Sequence, residues 1–474
     1  MNRSTLLGVL GLLWATGSVA QGPTRVTLAQ AQAWALQNAY AMKYAELDQQ
    51  VAQRDIKELR AQGLPQLGFS ADYNQFIEIP TQVVPGDAFG FPPYLIEFFG
   101  GVSDATGVVL NAPAPDPDGL SELRFGNKHT ANVGIQASQL LFSGSYLVGL
   151  QAARRYAASR EEALARTTDE VLRQVAEAYY LVAAAAYGQA ILEETRDATQ
   201  RQWLEMGAMK EAGFVDATAV DQLELAVSEL EAGISNARAQ RQLALALLRF
   251  QMGLKGTEPL EIAEDLETLW KQGPAGDLLA TPFQWEALPA LREMEAQLDL
   301  ARLDVKNKQA AALPVVSAFY SNARNAQRTE FDLFQSGGRW FPAELWGITL
   351  SVPLWTSGGG AQRVEKARLQ VVRAEMGLSQ MQAAADWEYR SARVALEQAT
   401  VALRQRDRAV DLALRINERT EAAFREGVAT SFELSQARNQ VIQARGQRTN
   451  ALLECLNARV RLQAALSAFE TSNP

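Results

Sequence analysis

Three short segments of the chain alternate strictly between apolar and polar residues. Apolar side chains fall at every second position in residues 66–73, 131–138 and 346–354, whereas residues 313–322 alternate less cleanly. Strands of roughly ten residues with one apolar and one polar face are typical of transmembrane β-barrels, although a half-buried soluble strand alternates in the same way. Four strands cannot close a barrel, so we expect a barrel shared between chains.

Two long segments have a helical pattern instead. Residues 144–213 and 358–427 are rich in Ala, Glu, Gln, Arg and Leu and contain no proline. Each predicts a helix of roughly 100 Å at about 1.5 Å per residue. A helix of that length does not fit in one globular core, so it indicates a coiled-coil-like assembly.

The helices and strands occur twice in the same order. Each copy runs short helix, Leu-Pro, strand, loop, strand, long helix, glycine and return helix. Phe142 and Gly213 are 71 positions apart (213 − 142), and Trp355 and Gly427 are 72 apart (427 − 355). The short helices are predicted at 27–62 and 283–312, and the return helices end near Gly253 and Ser467. A return helix and a short helix placed end to end have together the length of one long helix. The sequence therefore predicts a duplicated bundle of helical columns of equal length.

The start of the chain has the pattern of a signal peptide. Arg3 precedes an apolar core at 6–13, and residues 18–20 form an A-x-A-like cleavage site, so we expect the mature chain to begin at Gln21. An N-terminal membrane anchor is the alternative. No cysteine follows the site, so a lipoprotein anchor is not expected.

Composition narrows the function classes. Beyond the signal peptide we find no apolar stretch near the ~18 residues of a membrane helix, which leaves a soluble exported protein or a β-barrel. The net charge of −9 argues against a nucleic-acid partner. His129 and Cys455 are the only histidine and cysteine, so no histidine-based catalysis, metal site, cofactor site or internal disulfide is predicted.

The connection between the first two strands is long and rich in proline. Residues 77–128 hold seven prolines and predict an external loop without regular elements. Tyr73, Phe142, Trp346 and Trp355 fall at predicted strand ends, where an aromatic belt would lie, with buried core aromatics as the alternative.

Several local motifs, together with this layout, resemble the TolC-like outer membrane factor family over nearly the whole mature chain. These are LAQA at 28–31, Leu-Pro before each first strand, LWTSGG at 354–359, and the turns EAGFV at 211–215 and REGVAT at 425–430. The resemblance implies a mainly α fold with a membrane β-barrel portion. Three chains would each give four strands to one 12-stranded barrel, continued by an α-helical tunnel (α-barrel) through the periplasm.

The resemblance also implies a role and an organisation. Such channels lie in the outer membrane as homotrimers and connect to an inner-membrane pump through a periplasmic adaptor (membrane fusion) protein. The implied organisation is a signal peptide at 1–20, a first structural repeat at 21–254, an equatorial linker at 255–282, a second structural repeat at 283–468 and a C-terminal tail at 469–474.

The helix tips are the predicted functional site. In the family, acidic residues six and nine positions after the second-repeat glycine ring a constriction, and here those positions hold Glu433 and Gln436. The matching first-repeat acid is Asp221, with Asp216 as the alternative. Phe424 falls where the family often has an aromatic gate residue.

Two plainer interpretations stay open at the tips. Gly213 and Gly427 would end their helices as left-handed C-caps, and Glu433 could simply cap or solvate the first turn of its helix, where an acid suits the dipole. The residues expected to contact an adaptor are Gly213, Phe214, Val215, Gly427, Val428, Ala429 and Thr430.

Three functions compete on these observations. The first is a passive export duct of an efflux or type I-like export system. The second is a periplasmic coiled-coil adaptor or structural tether, which would show one hairpin and no duplicated apolar-faced strands. The third is a secreted enzyme, and the lack of catalytic motifs disfavours it.

Overall fold

The computed structural model describes residues 25–85, 93–106, 120–124, 126–212, 215–255, 260–273, 275–333 and 338–469. The predicted signal peptide lies outside the described residues, as do Gly213 and Phe214 of the first tip turn. The helices are α1 (Leu28–Asn38), α2 (Tyr40–Gln62), α3 (Pro93–Thr106), α4 (Gly144–Glu211), α5 (Ala217–Met252), α6 (Leu266–Lys271), α7 (Ala275–Ala280), α8 (Pro289–Ala310), α9 (Gly359–Arg425) and α10 (Ser431–Leu466). The strands are β1 (Arg25–Val26), β2 (Gln66–Gln75), β3 (Thr81–Pro85), β4 (Leu120–Arg124), β5 (His129–Ser143), β6 (Glu261–Ile262), β7 (Val315–Arg328) and β8 (Phe341–Ser351).

The chain divides into two compact units. The first contains Met1–Ile56, Gln151–Val305 and Glu365–Pro474, and the second contains Lys57–Leu150 and Lys306–Val364. Most of the helical sequence belongs to the first unit, and the sheet formed by β2, β5, β7 and β8 belongs to the second. The mainly helical, duplicated fold predicted from the sequence is therefore confirmed.

The helix boundaries follow the sequence closely. The long helices α4 and α9 span 68 and 67 residues without a break. The return helices end with Gly253 and Ser467 in the left-handed conformation, at the predicted positions. The predicted helix at 27–62 is divided at Ala39, whose backbone is not helical. The end of α5 packs there so closely that a side chain on Gly253 would overlap the carbonyl oxygen of Asn38.

Polar contacts define the order of the helices within the first unit. Along residues 155–168, α4 contacts both α2 and α8, and α8 in turn contacts α9. These contacts are Thr168–Met42, Arg155–Asp299 and Arg302–Glu375. Along residues 193–194, α4 contacts α5 and α10, and α10 contacts α9, through Arg238–Glu193, Arg445–Glu194 and Arg448–Asp407. The helices α5 and α10 also contact each other directly, at Gln222 and Ser431. Among α2, α4, α8 and α9, the terminal columns are therefore α2 on one side and α9 on the other.

Short elements of the predicted equatorial linker are built into the core of the first unit. β1 and β6 pair in parallel, and the Tyr179 hydroxyl donates a 2.9 Å hydrogen bond to the carbonyl oxygen of Val26. Leu266 and Leu269 of α6 are fully buried in the same core cluster as Leu456 of α10.

One expectation about hydropathy was wrong. Within the described part of the chain, α4 holds an 18-residue window with a mean hydropathy of 1.2, and 44% of that window is buried inside the protein. Its alanine-rich stretch, with Ala183 and Ala184 in the core, explains the value, because a helix enclosed by other helices is apolar on several faces.

The four-stranded sheet is antiparallel throughout, with strand order β2-β5-β7-β8. Leu67 lies opposite Ala137 and Phe69 opposite Ile135, so the alternating apolar residues of β2 and β5 share one face. On β8, Trp346 belongs to that face, because it lies opposite Tyr320, which lies opposite Ala137. This face is exposed in the single chain, with Leu67 and Trp346 each 77% accessible. β2 and β8 are the two edges of the sheet.

The strands and the first loop depart from prediction in two places. Trp346 lies in the middle of β8 rather than at its end, because pairing with β7 extends the strand back to Phe341. Residues 77–128, expected to lack regular elements, contain the antiparallel pair of β3 and β4 and the helix α3. Pro85 is the last residue of β3 and Pro93 the first of α3, two positions where proline costs no backbone hydrogen bond.

Candidate functional site

The second-repeat tip turn reverses the chain through a glycine-ended helix. Gly427 has φ of 73°, its N–H donates to the Phe424 carbonyl at 3.0 Å, and the Val428 N–H donates to the Ala423 carbonyl at 2.9 Å. These two bonds satisfy the last free carbonyls of α9 in the Schellman pattern. The predicted left-handed cap is confirmed at Gly427.

Glu433 takes part in a capping box at the start of α10. The backbone N–H of Thr430 donates to Glu433 Oε2 at 2.7 Å, and the Glu433 N–H donates to Thr430 Oγ1 at 3.2 Å. The hydrogen bonds from Thr430 hold the pKa of the Glu433 carboxyl below its ordinary value, so the group is ionised at neutral pH. Capping, the plainer of the two interpretations of Glu433, is thus what a single chain shows.

Phe424 joins the two tips of one chain. It packs against the small buried cluster of Met206, Val220 and Leu223, which α4 and α5 contribute, and Val215 packs against the same cluster. A second link joins the repeats, since the Ser431 hydroxyl contacts Gln222 Oε1 at 3.1 Å. The second-repeat tip is therefore fixed to the first-repeat hairpin by an apolar contact that Phe424 supplies.

The other predicted gate residues are solvent-exposed. Asp221 and Gln436 are exposed, each within the first two turns of its helix. Asp216 is the N-cap residue of α5, and its side chain makes no capping hydrogen bond. Within the described ranges, no hydrogen bond or ion pair joins these groups to Glu433. A ring of Glu433 carboxylates requires further copies of the chain.

The most exposed apolar side chains of the second tip are Val428 and Phe432, at 78% and 64% accessible. Sequence reasoning found Val428 through the turn motif but missed Phe432. The available signal was a large aromatic side chain two residues after the N-cap Thr430, in the first turn of α10. Among the described residues, no three His, Cys, Asp or Glu side chains are grouped so as to hold a metal ion.

Comparison with known proteins supports the predicted resemblance. Residues 286–468 match the family model described as "Outer membrane efflux protein". No curated protein sequence matches the chain significantly.

Solved structures have the same fold over almost the whole chain. CusC, whose structures concern folding and transmembrane channel formation, superposes with a TM-score of 0.67 at 17% identity, covering 95% of both chains. The CmeC outer membrane channel of Campylobacter jejuni gives 0.64 at 16% identity, over 94% of this chain and 87% of CmeC. The open-state MtrE outer membrane channel of Neisseria gonorrhoeae gives 0.65 at 17% identity, over 93% and 88%. The resemblance to the TolC-like family is thereby confirmed.

Proposed function

Because residues 286–468 carry an outer membrane efflux protein domain and the chain has the fold of outer-membrane channels, we propose that this protein is the exit duct of a multipart efflux or export system. In this proposal it is a passive homotrimeric conduit in the outer membrane, with a periplasmic extension. It receives substrate from an inner-membrane pump through a periplasmic adaptor. The observation that carries the proposal is an open four-stranded sheet with an exposed apolar face.

The sheet favours closure by identical chains in a lipid environment. An exposed apolar face with two free edges is unstable in water, since it leaves both apolar surface and backbone groups without partners. β2 and β8 run in opposite directions, because three antiparallel steps separate them. Repeating the four strands three times therefore gives a closed, all-antiparallel, 12-stranded barrel.

The helical unit supports the same assembly. The terminal columns expose apolar side chains at helical spacing, with Tyr44, Leu47 and Val51 on α2 and Val372 and Met376 on α9. A second copy that placed its α2 against α9 would cover both stripes. A soluble adaptor or tether gives no reason for these stripes and an apolar sheet to occur together.

Light scattering on the detergent-solubilised protein from the outer-membrane fraction tests the assembly. We expect a trimer. A folded monomer, or recovery of the protein from the soluble periplasm, would refute the proposed duct.

We propose further that Glu433, Gln436, Asp221 and Phe424 surround the periplasmic entrance, and that the tip turns, including Thr430, bind the adaptor. Three Glu433 carboxylates around one axis would repel each other and favour cations, as rings of charge do in channels. In the capping box the bonds from Thr430 go to Oε2, so Oε1 can face the opening while the cap is kept.

Single-channel recording in planar bilayers separates the two roles of Glu433. Glu433→Gln removes the charge but keeps a side chain that can complete a capping box, whereas Glu433→Ala removes both. We expect cation preference and block by multivalent cations to weaken in both variants. If the Gln variant kept the wild-type selectivity and block, the carboxylate would only be a cap.

A further inference from the structure

In the part of the chain that the structure describes, the residues that directly follow β8 have no strand beside them. β7 begins at Val315, which pairs with Ser351, so nothing in the sheet lies beside residues 352–356. Leu354 and Trp355 are highly exposed there. We infer that β8 of one copy pairs with β2 of the next copy in the register that sets Trp346 opposite Tyr73, an inference that rests on the proposed trimer. We call this pairing the seam.

Symmetry limits the possible registers of the seam. A row of directly paired residues can be followed from β2 of one copy, across the sheet, to β2 of the next copy. It arrives a whole number of residues further along β2, and threefold symmetry makes this displacement the same at each of the three seams. The displacement must also be even, because an odd shift would turn the apolar side chains of the next copy into the lumen. Displacements of four, six and eight residues are the realistic choices.

The sheet itself excludes the smallest of these. One row joins Leu67, Ala137, Tyr320 and Trp346 across the four strands. Tyr73 and Trp346 end the outward apolar runs of β2 and β8 on the side remote from the strand–helix joints, yet Tyr73 is six residues beyond Leu67. A displacement of six, spread over four strand-to-strand steps, raises the row by about four and a half residues within one chain and brings Trp346 close to the height of Tyr73. A displacement of four raises the row by only about three residues.

Strand tilt excludes the largest. With about 3.3 Å rise per residue and ~4.8 Å between strands, displacements of four, six and eight give tilts of about 35°, 46° and 54° in a 12-stranded barrel. Known barrels tilt by roughly 35–45°. Six is the displacement that satisfies both the rise of the row and the tilt.

This register pairs all four outward apolar residues of β2 with outward residues of β8. Reading from the aromatic end, the pairs are Trp346–Tyr73, Ile348–Ala71, Leu350–Phe69 and Val352–Leu67. The first places two exposed aromatic rings side by side on neighbouring strands at nearly the same height, where a membrane-interface belt would lie. On the lumen face the same register sets Thr349 opposite Ser70 of the next copy.

Disulfide crosslinking in a Cys455→Ala background tests the register in the full-length protein. Directly opposite residues have Cα atoms about 4.5–5.5 Å apart, within disulfide range, whereas positions shifted by two residues are not. We expect Thr349→Cys with Ser70→Cys to convert the monomer band into a covalent trimer on a non-reducing gel. The matched controls combine Thr349→Cys with Asp72→Cys or with Gly68→Cys, which report displacements of eight and four.

The outcomes distinguish the register from the assembly. Stronger crosslinking in either control pair, or none in any pair while light scattering shows a trimer, would overturn the register and leave the proposed duct standing. A monomer by light scattering would overturn the proposed trimer, and the seam with it.

Discussion

Arg459 is a buried cation whose removal should release α6, which lies in the predicted equatorial linker. It lies on α10 and is 7% exposed. Its guanidinium donates to the carbonyl oxygens of Leu269 and Gly273 at 2.9 Å each and of Trp270 at 3.3 Å. Nη2 also lies 3.4 Å from the Tyr180 hydroxyl. One side chain therefore satisfies three carbonyls at the end of α6.

The magnitude follows from those three acceptors. Arg459→Met keeps the apolar stem but leaves the carbonyls without a donor, at about 1 kcal/mol each, or about 3 kcal/mol in total. Local opening of α6 should then become roughly 150-fold more frequent. Arg459→Lys should fall in between, because one ammonium group cannot reach all the acceptors that the planar guanidinium reaches.

Limited trypsin digestion measures this opening. Cleavage after Lys271 requires α6 to unfold locally, and the cleavage rate tracks the open population when reclosing is fast. Arg461→Met is the matched control, since Arg461 is an exposed arginine on the same helix. Equal cleavage after Lys271 in the Arg459→Met and wild-type proteins would show that Arg459 does not hold α6 in place.

Two further predictions concern thermal stability, measured as the apparent Tm at a fixed scan rate. Gly427→Ala should cost only the about 1–2 kcal/mol that a residue with a Cβ atom needs to adopt the left-handed backbone. Gly253→Ala should cost more, because its new methyl group also overlaps the Asn38 carbonyl. Equal losses of stability would contradict the close packing at Gly253. Burial raises the pKa of the Asp169 carboxyl, even though the Ser467 hydroxyl donates to it at 2.6 Å. The folded state therefore binds that proton more tightly than the unfolded state, and stability should fall as the pH rises from 3.8 through the folded pKa. Asp169→Asn should remove this pH dependence, and an unchanged profile would count against it.

The sequence predicted the parts of the fold that local patterns determine. Alanine-rich, proline-free segments mark α4 and α9 almost to their ends, and alternation marks β2 and β5, because burial on one side imposes a period on the sequence. Gly427 could be predicted as a helix C-cap because few residues other than glycine adopt the left-handed backbone.

What the sequence missed depends on contacts between distant segments. Phe424 packs on Val220 and Leu223, which lie some two hundred positions earlier, so its role in joining the tips has no local signal. Arg459 looks like any helical arginine until α6 folds beside it. The prolines of residues 77–128 predict an irregular loop, yet Pro93 stands at the first position of α3, where a helix accepts a proline.

The two free edges of the sheet have a genetic consequence. If no chain can complete its barrel alone, a folded but edge-defective chain would still occupy a place in the proposed trimer. In a cell producing defective and normal chains equally, random assembly leaves only about one trimer in eight wholly normal. Alleles that damage β2 or β8 without unfolding the chain should therefore be dominant-negative, whereas alleles that prevent folding altogether should be recessive.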